Sequence, residues 1–201
     1  MQFVMATLLD EHVHGASQPE SGQHLCSETL EAEIYDIDDE LPLVKNLSSQ
    51  PELLESPLED LASGLLLGPG RIEKALAWHK LGKSYSQICY LGSGVCGYLS
   101  VAHRGFLTAM LDEAFSRCLS TTFPFQFMTT AHMNIDYKAL TFADQFLVIW
   151  VNIEETDEGK VRVEGQIETL EDELVKAPTV LVRATALFVE PAAVRRVFYL
   201  Y

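Results

Sequence analysis

The sequence predicts an α+β protein in which a curved antiparallel sheet wraps around one long central helix. The first observation is the stretch His103–Cys118, HRGFLTAMLDEAFSRC. Phe106, Ala109, Met110, Ala114 and Phe115 recur at helical spacing. Leu107, Leu111, Cys118 and Leu119 widen that surface until little polar face remains, the mark of a helix buried in a core. The second observation is the run of four strand patterns that follows, joined by short connections. The third is their alternation, which marks an antiparallel sheet with one face on the core. A lone apolar helix needs an apolar sheet face to cover it, and a sheet curled around it is the simplest arrangement.

Residues 1–60 hold 14 acidic residues and one basic residue, Lys45, a net charge of −13. Residues 61–201 hold 15 acidic and 13 basic residues, a net of −2. The chain therefore divides into an acidic N-terminal extension, 1–60, partly ordered or lid-like, and a domain spanning 61–201. Within the extension, Ser27–Asp39 can start a helix, with Ser27 as cap and acids in the first turn. Leu65–Lys83 opens with a Gly-Pro-Gly turn and continues in a helical pattern, Ile72, Ala75, Leu76, His79. Tyr85–Leu91 reads as a strand, and the glycine-rich GSGVCGYLSVA leads into the central helix.

After the helix, Phe125–Tyr137 alternates. Phe127, Ala131, Met133, Ile135 and Tyr137 fall on one face, and Thr130, His132, Asn134 and Asp136 on the other. Gln145–Glu155 is apolar enough for burial on both faces over part of its length. Lys160–Leu170 sets Val161, Val163 and Ile167 against Arg162, Glu164 and Gln166. In Pro178–Glu190 the residues Val180, Val182, Ala184, Ala186 and Phe188 stay in phase. Asp157-Glu158-Gly159 supplies the hairpin turn between the second and third of these strands.

Composition narrows the function. Of 201 residues 48% are hydrophobic, enough for a proper core, and mean hydropathy is +0.09. The nearly neutral body lacks the clustered basic footprint of a nucleic-acid binder. Cys26, Cys89, Cys96 and Cys118 include no CxxC pair and no zinc-ligand spacing with histidine, so they read as reduced structural thiols. No metal site or bound redox cofactor is indicated. The opening MQFVMATLLDEHVHG has no basic start and no secretory core, and no run reaches the roughly 18–20 apolar residues of a membrane helix. A cytoplasmic location is the expectation.

Two motifs are weighed and set aside. Gly92–Gly97 (GSGVCG) fits G-x-G-x-x-G literally, but six residues intervene before the helix and no alternating helices follow. Neither Ser93 nor Cys96 has the surroundings of a nucleophile, and both read as turn residues. Asp112 is different. Counting back three, four and seven residues gives Ala109, Thr108 and Gly105, a stripe of small residues over which something can approach a carboxylate. At a helix start near Arg104, the first backbone N–H groups have no intrahelical partner and suit an oxygen acquiring negative charge. Asp112 would stand roughly 10 Å further along. The residues alone leave two accounts open, a reactive site or a carboxylate paired with a strand Thr or Arg183.

The stretch resembles the signature of hotdog-fold thioesterases of the PaaI-like, acyl-CoA thioesterase superfamily. That signature is His-Gly-Gly, six residues, then Asp; here it reads His103-Arg104-Gly105, then Asp112. LLLGPGRIE, TTAHMNIDYKAL and ATALFVEP extend the resemblance over residues 65–191, towards a fungal branch. It implies a hotdog fold, a homodimer (or a tetramer) with sites at the protomer interface, and an acyl thioester substrate. Coenzyme A would be part of the substrate, and no separate cofactor is needed. Asp112 would be the general base or nucleophile. The Arg104 N–H, with Gly105 behind it, would form the oxyanion site, and His103 would position the carbonyl. Thr130 would reach the site from the other protomer. Thr108, Glu113 and His132 are the expected substrate-binding neighbours. Members usually carry Gly where Arg104 stands, which suggests recognition of a substrate carboxylate or phosphate, or a retuned site. The −13 segment would repel coenzyme A unless held away, so an acyl-carrier thioester is the other substrate. The alternatives are a non-hydrolytic hotdog enzyme of fungal secondary metabolism (product release, cyclisation, dehydration or isomerisation) and a non-catalytic acyl-binding module.

Overall fold

The computed structural model describes residues 42–51, 54–55, 66–80, 82–157, 159–170 and 177–191. The chain enters through a short helix, α1 (Pro42–Ser48), and continues through β1 (Leu54–Glu55), β2 (Ile72–Lys80) and β3 (Ser84–Leu91). A single 3₁₀ turn (Ser93–Val95) then leads to a small hairpin, β4 (Cys96–Tyr98) and β5 (Val101–Ala102). Leu99 and Ser100 turn that hairpin with left-handed φ values of 41° and 61°, the sign a two-residue type I′ turn requires at both positions. The central helix, α2 (Arg104–Thr122), follows, and then β6 (Thr129–Tyr137), β7 (Gln145–Asp157), β8 (Lys160–Thr169) and β9 (Val180–Val189).

Seven strands form one antiparallel sheet in the order β1-β2-β3-β7-β8-β9-β6. The sheet curls around α2. From the helix, Leu107, Met110, Leu111, Ala114, Phe115, Cys118 and Leu119 are all buried. They meet the inward residues of the strands, among them Tyr85, Leu147, Val163, Val182 and Phe188. The expected α+β hotdog architecture is what the chain adopts. The helix runs one turn beyond the predicted Cys118, since Leu119 still faces the core.

The alternation of β8 and β9 is as expected: Val161, Val163 and Ile167 are buried, as are Val182, Ala184, Ala186 and Phe188. Gly165 stands in the inward phase of β8, where a Cβ would lie 2.6 Å from Phe115 Cε1 and 2.7 Å from the Trp150 carbonyl oxygen. Its bareness lets the Phe115 ring seat against the strand. β7 is buried on both faces. Leu147, Ile149 and Val151 face the helix, while Val148 joins Trp78 and Ile88 in a second cluster on the outer face. That outer cluster is capped by Val44 and Leu47 of α1. Gly159, at φ 69°, turns the chain from β7 into β8.

Two readings are corrected. The helical pattern assigned within Leu65–Lys83 is strand β2, paired along its length with β3. Ala75 and Ala77 pack towards α2 while Leu76 and Trp78 pack towards α1. With both faces apolar the period of two disappears, and the residual spacing imitates a helix. β6 is not one uninterrupted alternation either. A bulge between Thr130 and His132 shifts its phase. Thr130 is therefore half-buried on the helix side with Met133, Ile135 and Tyr137, whereas His132, Asn134 and Asp136 are exposed. The proposed helix at Ser27–Asp39 lies outside the described residues.

Candidate active site

The site is built where the middle of α2 faces the start of β6. The bulge turns Thr130 inward, and its hydroxyl donates to Asp112 Oδ1 at 2.7 Å. Both side chains are half-buried. The half-buried carboxylate thus has a hydrogen-bonded partner. This contact lies within one chain, whereas reach from the partner protomer was expected for Thr130.

The helix start is capped by His103, whose backbone is extended (φ −64°, ψ 126°) and whose Nδ1 accepts from the Gly105 N–H at 3.1 Å. While that bond holds, Nδ1 carries no proton and Nε2 is the donor of the ring. Gly105 leaves room for this cap: a Cβ would lie 3.0 Å from His103 Cε1 and Nδ1, so the imidazole would have to shift by a few tenths of an ångström. Because the imidazole occupies the Gly105 amide, Arg104 supplies the helix-start N–H that this cap leaves alone. The Arg104 guanidinium lies over the Tyr137 ring, 5.0 Å from its centroid. The Tyr137 hydroxyl is 2.7 Å from Thr108 Oγ1 and donates to the Arg104 carbonyl at 3.2 Å, and Thr108 donates to the same carbonyl at 3.0 Å. Arg104, Thr108 and Tyr137 thus form one braced unit at the end of β6.

Of the other expected residues, Glu113 turns away from Asp112 and accepts from Arg117 Nε at 3.3 Å, in an ion pair with a buried arginine. His132 stands outside the site; its Nε2 is 3.1 Å from Asn134 Oδ1 on the exposed face of β6. Arg183 is also excluded as a partner of Asp112. It lines a cavity of about 830 Å³ on the outer face with Asn134, Asp136, Trp150 and Gln166, away from the helix. A smaller cavity, about 380 Å³, is lined by Glu113, Ser116 and Arg117 of α2 together with Met128 and Phe188, and neither Asp112 nor Thr130 is in its wall. His79 of β2 also borders it, a residue sequence reasoning missed because β2 was read as a helix.

Burial pushes the Cys89 and Cys118 thiols up to about 12, which keeps them protonated and unreactive. Among the described residues no cluster of His, Cys, Asp or Glu could hold a metal ion, and no helix is long and apolar enough to cross a membrane.

A curled antiparallel sheet around a single helix, with a carboxylate in the middle of that helix and a capped amide at its start, defines a hotdog protein. Residues 99–176 match the model of the thioesterase superfamily.

The chain is similar to an uncharacterized Schizosaccharomyces pombe protein, 27% identical over 113 residues, covering 56% of this chain and 63% of that one. It is also similar to an uncharacterized Candida albicans protein named as mitochondrial, 24% identical, covering 64% of this chain and 59% of that one. A third relative is MIOREX complex component 3 of Saccharomyces cerevisiae, 26% identical, covering 54% of this chain and 41% of that one. The matches thus span less than two thirds of these relatives' length. Among solved structures, a hypothetical thioesterase of Streptococcus pneumoniae with coenzyme A shares the fold. It has a TM-score of 0.52 at 13% identity, covering 60% of this chain and 88% of that one.

The expectation of a cytoplasmic location is corrected by the Candida albicans relative, which is named as mitochondrial. That expectation rested on missing leader features at the start of the chain, and such an absence excludes no compartment.

Proposed function

We propose that this chain hydrolyses acyl-CoA thioesters, with Asp112 as the general base. The observation that carries the reading is the 2.7 Å hydrogen bond from Thr130 to Asp112. It fixes one carboxylate oxygen and leaves the other for a water molecule. Asp112 takes a proton from that water as its oxygen attacks the thioester carbonyl. The carbonyl oxygen becomes an oxyanion, held by a helix-start amide, and collapse expels the coenzyme A thiolate, which takes the proton back.

The amide cannot come from the same helix. Gly105 and Asp112 are seven residues apart, about 10 Å along the axis, too far for one reacting carbonyl to touch both. A second copy, offering its Arg104 amide and His103 Nε2 to this Asp112, completes the site. Exposed large apolar residues around the helix start support that pairing: Tyr98 and Leu99 on the β4–β5 hairpin, Leu140 and Phe142 on the loop after β6. Arg104, propped on Tyr137, is placed to meet a phosphate of the substrate. The relative named as mitochondrial favours that compartment for this chain as well.

The test is thiol release from an acyl-CoA panel. Wild type should turn over, Asp112→Asn should lose at least a hundredfold in kcat, and Thr130→Ala should lose about tenfold. A folded wild-type dimer inert on every substrate would sink the hydrolase and leave a retuned, non-hydrolytic hotdog enzyme or an acyl-binding module.

A further inference from the structure

We propose that Tyr137 is a positioning residue of the site and that its two parts act separately. Its hydroxyl fixes the peptide that seats His103, and its ring holds the Arg104 guanidinium ready for a phosphate of coenzyme A. This rests on the hydrolase reading and names a residue that governs rate and substrate recognition within it. β6 grips α2 at two points, through Thr130 at Asp112 and through Tyr137 at the helix start. Thr130 touches the carboxylate itself, whereas Tyr137 acts through Arg104 and His103.

The Arg104 carbonyl oxygen, Thr108 Oγ1 and the Tyr137 hydroxyl oxygen lie within hydrogen-bond distance of one another, at 2.7, 3.0 and 3.2 Å. Two hydroxyl protons serve these three contacts. The carbonyl already accepts the Thr108 N–H as part of α2, which leaves it one lone pair. One hydroxyl fills that lone pair and the other donates to the first, a chain in which each bond strengthens the next. The carbonyl is one end of the Arg104–Gly105 peptide. The other end is the Gly105 N–H, which His103 Nδ1 accepts at 3.1 Å. Polarising the carbonyl makes that N–H a better donor to the imidazole, which keeps its Nε2–H for the substrate. Thr108 belongs to the helix it braces, whereas Tyr137 ties the same peptide to the sheet. The ring has its own part. The Arg104 guanidinium carbon lies 5.0 Å from the ring centroid, and no carboxylate among the described residues pairs with it. Its charge is open to an anion, while the ring restricts a side chain that would otherwise lose rotamer freedom on binding.

The experiment compares, on the full chain, an acyl-CoA with the acyl-pantetheine thioester of the same acyl group, which has no phosphate. Tyr137→Phe keeps the ring and should lower kcat about three- to tenfold on both substrates with KM unchanged. Tyr137→Leu should add a rise in KM of about two- to fivefold, confined to the CoA thioester. An unchanged kcat in Tyr137→Phe overturns the role of the hydroxyl. A KM rise that is absent, or shared by both substrates, overturns the role of the ring. The hydrolase stands in either case. By NMR the Gly105 amide proton should move upfield in Tyr137→Phe, and an unmoved resonance also overturns the role of the hydroxyl. If neither thioester is hydrolysed, a moved Gly105 resonance in Tyr137→Phe upholds the clamp without the hydrolase. Weaker calorimetric binding of coenzyme A itself by Tyr137→Leu then does the same for the ring. An unmoved resonance with equal binding overturns both the positioning role and the hydrolase. Should Tyr137→Leu fail to fold, Arg104→Gln serves instead. It should raise KM on the CoA thioester alone, and an unchanged KM overturns the role of the ring.

Discussion

Arg104 is the residue at which this chain departs from the His-Gly-Gly pattern, and the structure indicates how the departure is tolerated. The proposed oxyanion site would use the amide at that position, and an amide is common to glycine and arginine. The side chain leaves the helix start by lying over Tyr137. This yields a clean test of the amide. Position 104 is the first residue of the helix, where proline is well accommodated, and His103 already has the extended ψ of 126° that a following proline demands. Arg104→Pro should therefore fold while losing 10²–10³ in kcat, whereas Arg104→Ala, which keeps the N–H, should lose far less. Circular dichroism beside steady-state kinetics checks both halves. The spacing of His103 and Asp112 was legible in the sequence. The braces were not, because Tyr137 meets Thr108 across 29 positions of chain.

Among the elements, α2 was the most legible because a fully buried helix writes its period into nearly every residue. β8 and β9 were legible for the same reason, each having one buried and one wet face. β2 and β6 were not. β2 is covered on both sides and loses its alternation, and β6 changes phase at a bulge that no local pattern announces. Thr130 was placed on the wrong face for that reason. The match of helix to sheet depends on one missing side chain, that of Gly165 under Phe115. Gly165→Ala should destabilise the fold by about 1–3 kcal/mol through overpacking, visible as a melting temperature lower by several degrees. A neutral result would mean that Phe115 has room to move that the packing does not suggest.

At the scale of the whole molecule, the distance between Asp112 and its own helix start makes the proposed activity a property of two chains. Mixing Asp112→Asn with Arg104→Pro before refolding should recover about a quarter of wild-type turnover, since half the dimers are mixed and each has one intact site. No recovery would place both functions in one chain. A second consequence follows from α1, which belongs by sequence to the acidic extension but covers Trp78, Ile88 and Val148 of the sheet. A chain beginning at residue 61 should aggregate at concentrations where the full chain stays monodisperse in light scattering. The same seal bears on turnover in the cell. A proteolytic cut between α1 and β2 would release the helix and bare an apolar surface, and the machinery that removes unfolded proteins would recognise that surface although no strand around α2 had moved.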